Sequence, residues 1–66
     1  MDKLTGFLNY AKSKKWDASL IVYNGEYQAI INPITTPKLY EGHSHESIED
    51  AIDKCKQRLI EGANNE

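Results

Sequence analysis

The chain has little of several features that mark large classes of protein. A single cysteine, Cys55, excludes an internal disulfide framework and favours a reducing compartment, so a cytoplasmic location is expected. No apolar stretch approaches the roughly 18 residues that a membrane span needs, and no signal peptide opens the chain. We therefore expect no membrane partner.

The chain is also short, and its 66 residues predict a single small domain over 1–66. A domain of this size buries only about 60% of the surface that its unfolded chain exposes. This excludes a dinucleotide-binding fold, a barrel or a roomy enzyme cleft. No Ser-His-Asp set, glycine-rich phosphate loop or pair of carboxylates in a cleft can be assembled either. We therefore predict no catalytic residue, no cofactor and no small-molecule substrate.

Charge is nearly balanced overall but is unevenly distributed. The net charge is −2, which gives no general attraction to nucleic acid or to an anionic membrane. Residues 1–16 carry four lysines and one aspartate, whereas residues 38–53 carry one lysine and five acidic side chains. A basic corner is therefore expected near the end of the first helix, and an acidic corner near the start of the last.

Two segments have the periodicity of helices. Apolar residues one helical turn apart predict a first helix over about 2–15, with Asp2 at its N-terminus. The same pattern predicts a second helix over about 47–61, with Ser47 as its N-cap and Gly62 as its C-terminal stop. The apolar faces consist of Leu4, Phe7, Leu8 and Ala11 in the first helix, and of Ile48, Ala51, Ile52, Cys55 and Leu59 in the second.

Between the helices, the dipeptide Asn24-Gly25 predicts a β-hairpin over about 18–32. Both residues tolerate the positive φ of a type I′ turn, and a two-residue turn places Tyr23 opposite Glu26. One face of the hairpin is then apolar and forms the core, and the second face is mixed. The core face carries Ala18, Leu20, Val22, Tyr27, Ala29 and Ile31, and the second face carries Ser19, Ile21, Tyr23, Glu26, Gln28 and Ile30.

A short third strand is predicted over about 38–41, after an interruption at Pro33 and Pro37 and before a break at Gly42. The loop between the two prolines and the tail 63–66 are the segments expected to be disordered. The elements together predict an α+β fold in the order α-β-β-β-α. This is a two-layer domain with two helices packed on one face of a small antiparallel sheet.

The second half of the chain resembles the HicB antitoxin family over about forty residues. Members of that family typically run from a glycine into Thr/Ser-x-Glu-Glu-Ala at the start of a helix. Two features depart from the pattern: four residues, 43–46, separate Gly42 from Ser47, and the Pro-rich family segment is only loosely matched by Asn32-Pro33-Ile34. The matching segments are Glu26-Tyr27-Gln28-Ala29-Ile30, Tyr40-Glu41-Gly42 and Ser47-Ile48-Glu49-Asp50-Ala51.

The resemblance implies a small bacterial or phage regulatory protein that binds another protein through its sheet. The DNA-binding module that many such antitoxins append is absent from this sequence. The order of elements is also similar to that of double-stranded RNA-binding domains, which place lysines at the N-terminus of the last helix. Here that position carries Glu46, Glu49 and Asp50, which would repel phosphate.

Interaction with a protein is the function that the residues favour. A two-layer domain leaves the second hairpin face uncovered, and large apolar groups inside a polar rim are typical of protein interfaces. The preference of strands for such residues on either face is the simpler explanation, and a homodimer is a further one. The predicted protein-binding residues are Ile21, Tyr23, Glu26, Gln28 and Ile30.

The alternative is a small nucleic-acid-binding module. It would use Lys12, Lys14 and Lys15 to neutralise phosphates and Trp16 to stack on a base. Trp16 is also expected to pack at the junction of helix and strand, which would leave the lysines as a solvated helix end.

The remaining candidate groups predict no site. His43-x-His45 beside Glu46 has metal-ligating side chains but too few of them, so no metal site is predicted. Cys55 lies on the apolar stripe of the last helix and is predicted to be a small core residue rather than a nucleophile.

Overall fold

The computed structural model describes residues 2–33 and 38–64. Its elements are α1 (Lys3–Lys14), β1 (Asp17–Tyr23), β2 (Glu26–Asn32), β3 (Tyr40–Ser44) and α2 (Ile48–Asn64). The three strands form one antiparallel sheet in the order β1-β2-β3. The predicted α+β fold with the element order α-β-β-β-α is confirmed.

The hairpin turn fixes the register of β1 on β2. Asn24 and Gly25 have φ values of 56° and 79°, the positive values that a type I′ turn requires. Tyr23 lies opposite Glu26, and the pairing continues without a bulge to Asp17 opposite Asn32. The predicted register is therefore correct.

The predicted bounds of the third strand, 38–41 with a break at Gly42, are wrong. The strand runs from Tyr40 to Ser44, and Gly42 lies at its centre opposite Ala29. A Cβ atom at Gly42 would overlap the carbonyl oxygen of Ala51 and the backbone nitrogen of Cys55. The glycine is therefore required not for a break in the strand but for the close packing of α2 on β3.

Both helices pack on the same side of the sheet, which we call the inner face. Phe7 and Ala11 of α1 meet Ala51, Ile52 and Cys55 of α2 over this face, and all five are at most 3% exposed. Of the predicted core positions of α2 these three are confirmed, and Ile48 and Leu59 are partly buried against them. The inner face consists of Ala18, Leu20, Val22, Tyr27, Ala29, Ile31, Tyr40, Gly42 and Ser44.

Two residues predicted to be in the core are exposed instead. Val22 is 67% exposed and Leu8 is 44% exposed. Val22 adjoins the hairpin turn and lies outside the hydrophobic core cluster, which gathers at the opposite end of the strands around Ile31 and Tyr40. Leu8 lies at the margin of the apolar stripe of α1, of which Phe7 and Ala11 are the buried residues.

The predicted N-terminal caps of both helices are confirmed, but the predicted end of α2 is wrong. Asp2 Oδ1 accepts from the Thr5 backbone nitrogen at 2.7 Å, and Ser47 Oγ accepts from that of Asp50 at 3.0 Å. The predicted stop at Gly62 is wrong, because α2 continues to Asn64. The disorder expected for the tail 63–66 stays a prediction: α2 extends through 63 and 64, while 65–66 and the loop 34–37 lie outside the described residues. A Cβ at Gly62 would meet the Tyr40 hydroxyl at 2.5 Å, so packing accounts for this glycine too.

Candidate protein-binding surface

The side of the sheet that faces away from the helices is called here the outer face. Its residues form cross-strand rows, in which Ile21 pairs with Gln28 and Gln28 pairs with His43. All five residues predicted to bind a protein lie on this face. The outer face consists of Asp17, Ser19, Ile21 and Tyr23 of β1, Glu26, Gln28, Ile30 and Asn32 of β2, and Glu41 and His43 of β3.

The exposed apolar side chains of the outer face lie on β1. Tyr23 is 67% exposed and Ile21 is 39% exposed, while Ile30 on the central strand is half-buried. Leu39, which is 54% exposed, lines the same shallow depression as Ile30, together with the polar residues Asp17, Ser19 and Asn32. The depression at this end of the outer face is therefore of mixed character.

Beside them, β2 and β3 hold a histidine between two carboxylates on the same face. His43 Nδ1 lies 2.6 Å from Glu26 Oε1, and His43 Nε2 lies 3.1 Å from Glu41 Oε1. A neutral imidazole has only one N–H, so it can donate to one carboxylate at most. Both hydrogen bonds form together only when both ring nitrogens carry a proton, and this geometry therefore favours the imidazolium form.

Neighbouring groups shift the pKa values of His43 and Glu26 in the directions that favour the charged form of each. The hydrogen bond from His43 to Glu26 raises the pKa of the histidine, and the bond to Glu41 adds to this, while partial burial opposes it. The hydrogen bond from His43 also lowers the pKa of Glu26. The pair therefore favours its charged form.

Glu26 is the centre of this polar group. Besides His43, its carboxylate accepts from Gln28 Nε2 at 3.1 Å, and His45 Nε2 lies 3.5 Å from its second oxygen. The polar side chains are thus held by one another rather than by a helix.

Sequence reasoning missed Glu41, His43 and Leu39 as members of this surface. The signal for the first two was present: once β3 continues through Gly42, Glu41 and His43 alternate onto one face by the period of two. The wrong strand bounds concealed that alternation. Leu39 precedes the strand, and no periodic pattern would have placed it beside Ile30.

The structure also shows where the alternative nucleic-acid-binding residues lie. Lys12 and Lys14 are in the last turn of α1, and Lys15 follows as its C-cap with a φ of 62°. Trp16 is half-buried, packs against the core, and meets the Tyr10 ring edge to face with 5.8 Å between ring centres. The lysines share one end of the helix, but the indole ring is engaged in packing.

Cys55 and the histidines do not form a reactive or metal-binding group with other side chains. Cys55 is 1% exposed, its thiol donates to the Tyr40 carbonyl at 3.3 Å, and burial raises its pKa to about 11. The thiolate that a nucleophile needs is therefore scarce at neutral pH. Over residues 2–33 and 38–64 there is no cluster of three His, Cys, Asp or Glu side chains suited to a metal ion.

An apolar cleft lies on the opposite side of the molecule, between the two helices. It is lined by Phe7 and Tyr10 of α1 and by Leu59 and Ile60 of α2, with a volume of about 220 Å³. Ligand sites for small organic molecules are usually about 300–1,000 Å³. This cleft is below that range, so the outer face is the better candidate surface.

Neither α1 nor α2 has the length and apolar character to cross a membrane, and these are the helices in the described part of the chain. Comparison of the chain with protein-family models, with curated proteins and with solved structures found no match.

Proposed function

We propose that this chain is a small, non-enzymatic binding protein that docks a protein partner through its outer face. One observation carries the proposal: the sheet face that no helix of the described residues covers combines exposed large apolar side chains with a preformed charged cluster. Tyr23 and Ile21 supply the apolar part, and His43 with its two carboxylates supplies the charged part.

The apolar residues provide the driving force. Tyrosine is among the residues that contribute most to binding at protein interfaces, because its large ring loses little conformational entropy when it is held. Tyr23 and Ile21 are neighbours on the outer face of β1, and the half-buried Ile30 on β2 lies opposite Ser19, diagonal to Ile21. Apolar groups of this size on a rigid strand give a partner a fixed surface to cover.

The charged cluster provides orientation at low cost. Binding orders flexible side chains and removes water from charges, and both effects oppose association. The Glu26 carboxylate is already held by His43 and Gln28, so it loses little further freedom when a partner covers it. The free lone pairs of Glu26 and Glu41 can accept hydrogen bonds from the partner.

The resemblance to HicB antitoxins supports a regulatory role of phage or bacterial type. In such a role the chain would inhibit the protein to which it binds, as an antitoxin does. A cytoplasmic location belongs to the same proposal and agrees with the single reduced, buried Cys55.

The nucleic-acid alternative has less support. Trp16 packs against the core and Tyr10, so the aromatic side chain that would stack on a base is already engaged. The three lysines alone form a small cationic surface, whose binding would fall steeply with salt.

The test is capture of partners by the tagged chain from bacterial lysate, with and without nuclease treatment. The variant carries Tyr23→Asp and Ile30→Asp together, which place two charges on the outer face. The matched control is Ile60→Asp, because Ile60 is 55% exposed but lies on α2, away from the sheet. Circular dichroism of each variant shows whether it is folded.

The expected result is a stoichiometric protein bound by the wild-type chain and by Ile60→Asp but lost with the double variant. Equal capture by all three chains would exclude the outer face as the binding surface. Recovery of nucleic acid before nuclease treatment, or of proteins lost after it, would instead favour the lysines near Trp16.

A further inference from the structure

Within residues 2–33 and 38–64, side chains bond the outward-facing backbone carbonyls at one edge of the sheet, and no such bond is found at the other edge. At the β3 edge, Lys54 Nζ donates to the His43 carbonyl at 3.3 Å, and Arg58 Nη1 donates to the Glu41 carbonyl at 3.0 Å. Side chains of α2 thus occupy the acceptors that an added strand would use there. The β1 edge is the other end of the strand order.

The hairpin register identifies which groups of β1 face that edge. A two-residue turn closes on a hydrogen-bonded pair, here Tyr23 with Glu26, and such pairs then occur at every second residue. The N–H and C=O groups of Ala18, Leu20 and Val22 therefore point away from β2. The same alternation, carried across β2, directs the Glu41 and His43 carbonyls to the far edge, which agrees with their bonds to α2.

β1 lacks the features that usually protect an exposed edge. Natural edge strands are shielded by prolines, lysines, bulges or short length. β1 is seven residues long, pairs continuously with β2, and has a single charged residue, Asp17, at its start. Its second half is apolar and exposed on both faces, with Val22 on the inner side and Ile21 and Tyr23 on the outer side.

We propose that β1 is a self-association edge, at which two copies of the chain pair antiparallel about a two-fold axis at Leu20. The two sheets then form one sheet of six strands. A two-fold contact places the same residues on both sides of the axis, so the pairing has to be antiparallel. This inference does not rest on the proposed function, because it concerns the edge of the sheet rather than the outer face.

The sequence of β1 is self-complementary about Leu20. With the axis there, Leu20 pairs with Leu20 of the second copy, and Ala18 pairs with Val22, so every outward-facing N–H and C=O of both strands is bonded. An axis at Val22 would pair Leu20 with Asn24 of the turn and lose bonds. Asp17 meets Tyr23 of the second copy, so no like charges face each other.

Association would also cover apolar surface that the small core leaves open. Val22 is 67% exposed on the inner side, and the second copy places its Ala18 and Leu20 beside it. Small domains often gain stability through oligomerisation, because a single hydrophobic core of this size contributes little to the free energy of unfolding. The second copy is therefore the occupant that fits both the hydrogen bonds and the side chains of this edge.

The test measures the dimerisation constant of the full chain by sedimentation from micromolar to millimolar concentration. Val22→Pro removes an N–H that faces the edge and none that bonds to β2. Because the axis repeats the loss in both copies, we expect the dimer to weaken by at least about tenfold. Val22→Thr keeps the N–H and the branched shape, so it is the matched control and should remain within about threefold of wild type.

A cross-linking measurement keeps the proposal testable if Val22→Pro fails to fold. Ser19 lies opposite Ile21 of the second copy, at a non-hydrogen-bonded pair with Cα atoms about 4.5 Å apart. A mixture of Ser19→Cys and Ile21→Cys chains should therefore form the mixed disulfide faster than either variant forms its own, since the like positions lie beyond about 7 Å. Cys55 is 1% exposed and does not compete.

Any of three results would overturn the proposal. The wild-type chain could stay monomeric at millimolar concentration. That result would also be seen if the β1 edge paired with a strand of a different protein rather than with a second copy. The dimer could be insensitive to a folded Val22→Pro variant. The three disulfides could form at equal rates. Ile30→Asp, on the central strand, should leave the dimer intact and thereby separates this edge from the proposed partner surface.

Discussion

The inner and outer faces of the same three strands are held in place by different forces. On the inner face Ala29 and Ile31 are fully buried, and Gly42 lies so close to α2 that no side chain fits. On the outer face Tyr23 is 67% exposed, and the ordered groups are the carboxylates around His43. Steric packing fixes one face, and hydrogen bonds between side chains fix the other.

The difference separates residues that build the fold from residues that are free to bind. A close-packed core limits the volume of each side chain, so adding or removing one methyl group there changes the free energy of unfolding. An uncovered face tolerates changes of size, and what remains constrained on it is charge and hydrogen bonding. Large apolar groups on the outer face are not required by the core, although the preference of strands for such side chains also accounts for them. That face is therefore the candidate for the proposed function.

The largest expected effect is that of Gly42→Ala on the inner face. Its Cβ would overlap backbone atoms of Ala51 and Cys55, which cannot move without shifting α2. Overpacking of a core typically costs about 1–3 kcal/mol, and a backbone clash falls at or above the upper end. We expect a loss of about 3 kcal/mol or more in the free energy of unfolding, measured by urea denaturation.

Gly6→Ala is the matched control for that change. No atom lies within 4 Å of a Cβ at Gly6, which is in the middle of α1. The same substitution should therefore stabilise the helix by about 1 kcal/mol. A small cost at Gly42, comparable with the change at Gly6, would show that α2 does not rest on β3 as described.

The next largest effect compares two neighbouring isoleucines on β2. Ile31 is 0% exposed on the inner face, whereas Ile30 is half-buried on the outer face. Ile31→Ala should cost about 2–5 kcal/mol, because it leaves a cavity in the core. Ile30→Ala should cost about 1 kcal/mol or less, since water can fill the space that it leaves. Equal losses for the two variants, in the same urea experiment, would mean that the outer face is covered after all.

Local sequence signals predicted the parts of the fold that depend on local geometry. Asn24-Gly25 fixed the turn, and the turn fixed the register of the hairpin and the membership of its two faces. The caps of both helices followed from Asp2 and Ser47 for the same reason, since each bonds a backbone nitrogen three residues away.

The prediction failed at the two glycines whose roles depend on distant contacts. Gly42 and Gly62 were interpreted as breaks, but each makes room for a residue far away in sequence, in one case α2 and in the other Tyr40. Composition alone does not distinguish a glycine that ends a strand from one that accommodates a helix.

The interpretation of Gly42 as a break also made the predicted site incomplete. Ile21, Tyr23, Glu26, Gln28 and Ile30 were placed on one face because the hairpin register was right. Glu41 and His43 were missed because their strand was ended too early. A site that spans three strands needs all three registers, and a short turn supplies only one of them.

The smallest expected effect, and the most specific to the outer face, is the dependence of stability on pH. The pKa of His43 is raised by its bond to Glu26 and then by its bond to Glu41. A raised pKa means that the folded state binds the proton more tightly than the unfolded state. The contribution of His43 to the free energy of unfolding is therefore complete below the pKa of about 6.5 that histidine has in the unfolded chain. It is lost as the pH rises through the pKa of His43 in the folded state. The pKa of Glu26 is lowered, so its contribution is present above its unfolded value and is lost as the pH falls through the folded pKa.

Urea denaturation at a series of pH values measures this effect directly. Stability should peak between the ordinary pKa values of glutamate and histidine, about 4.3 and 6.5, and decline on either side. His43→Gln should remove most of the decline on the alkaline side, because the imidazolium that bridges Glu26 and Glu41 is gone. His45→Gln is the matched control, since the His45 side chain is 77% exposed and its Nε2 lies 3.5 Å from Glu26. If the two variants kept the same pH profile as the wild type, the outer face would not be organised by the charge on His43. Its order would then have to come from the strands alone, and the contrast between the two faces would be one of exposure only.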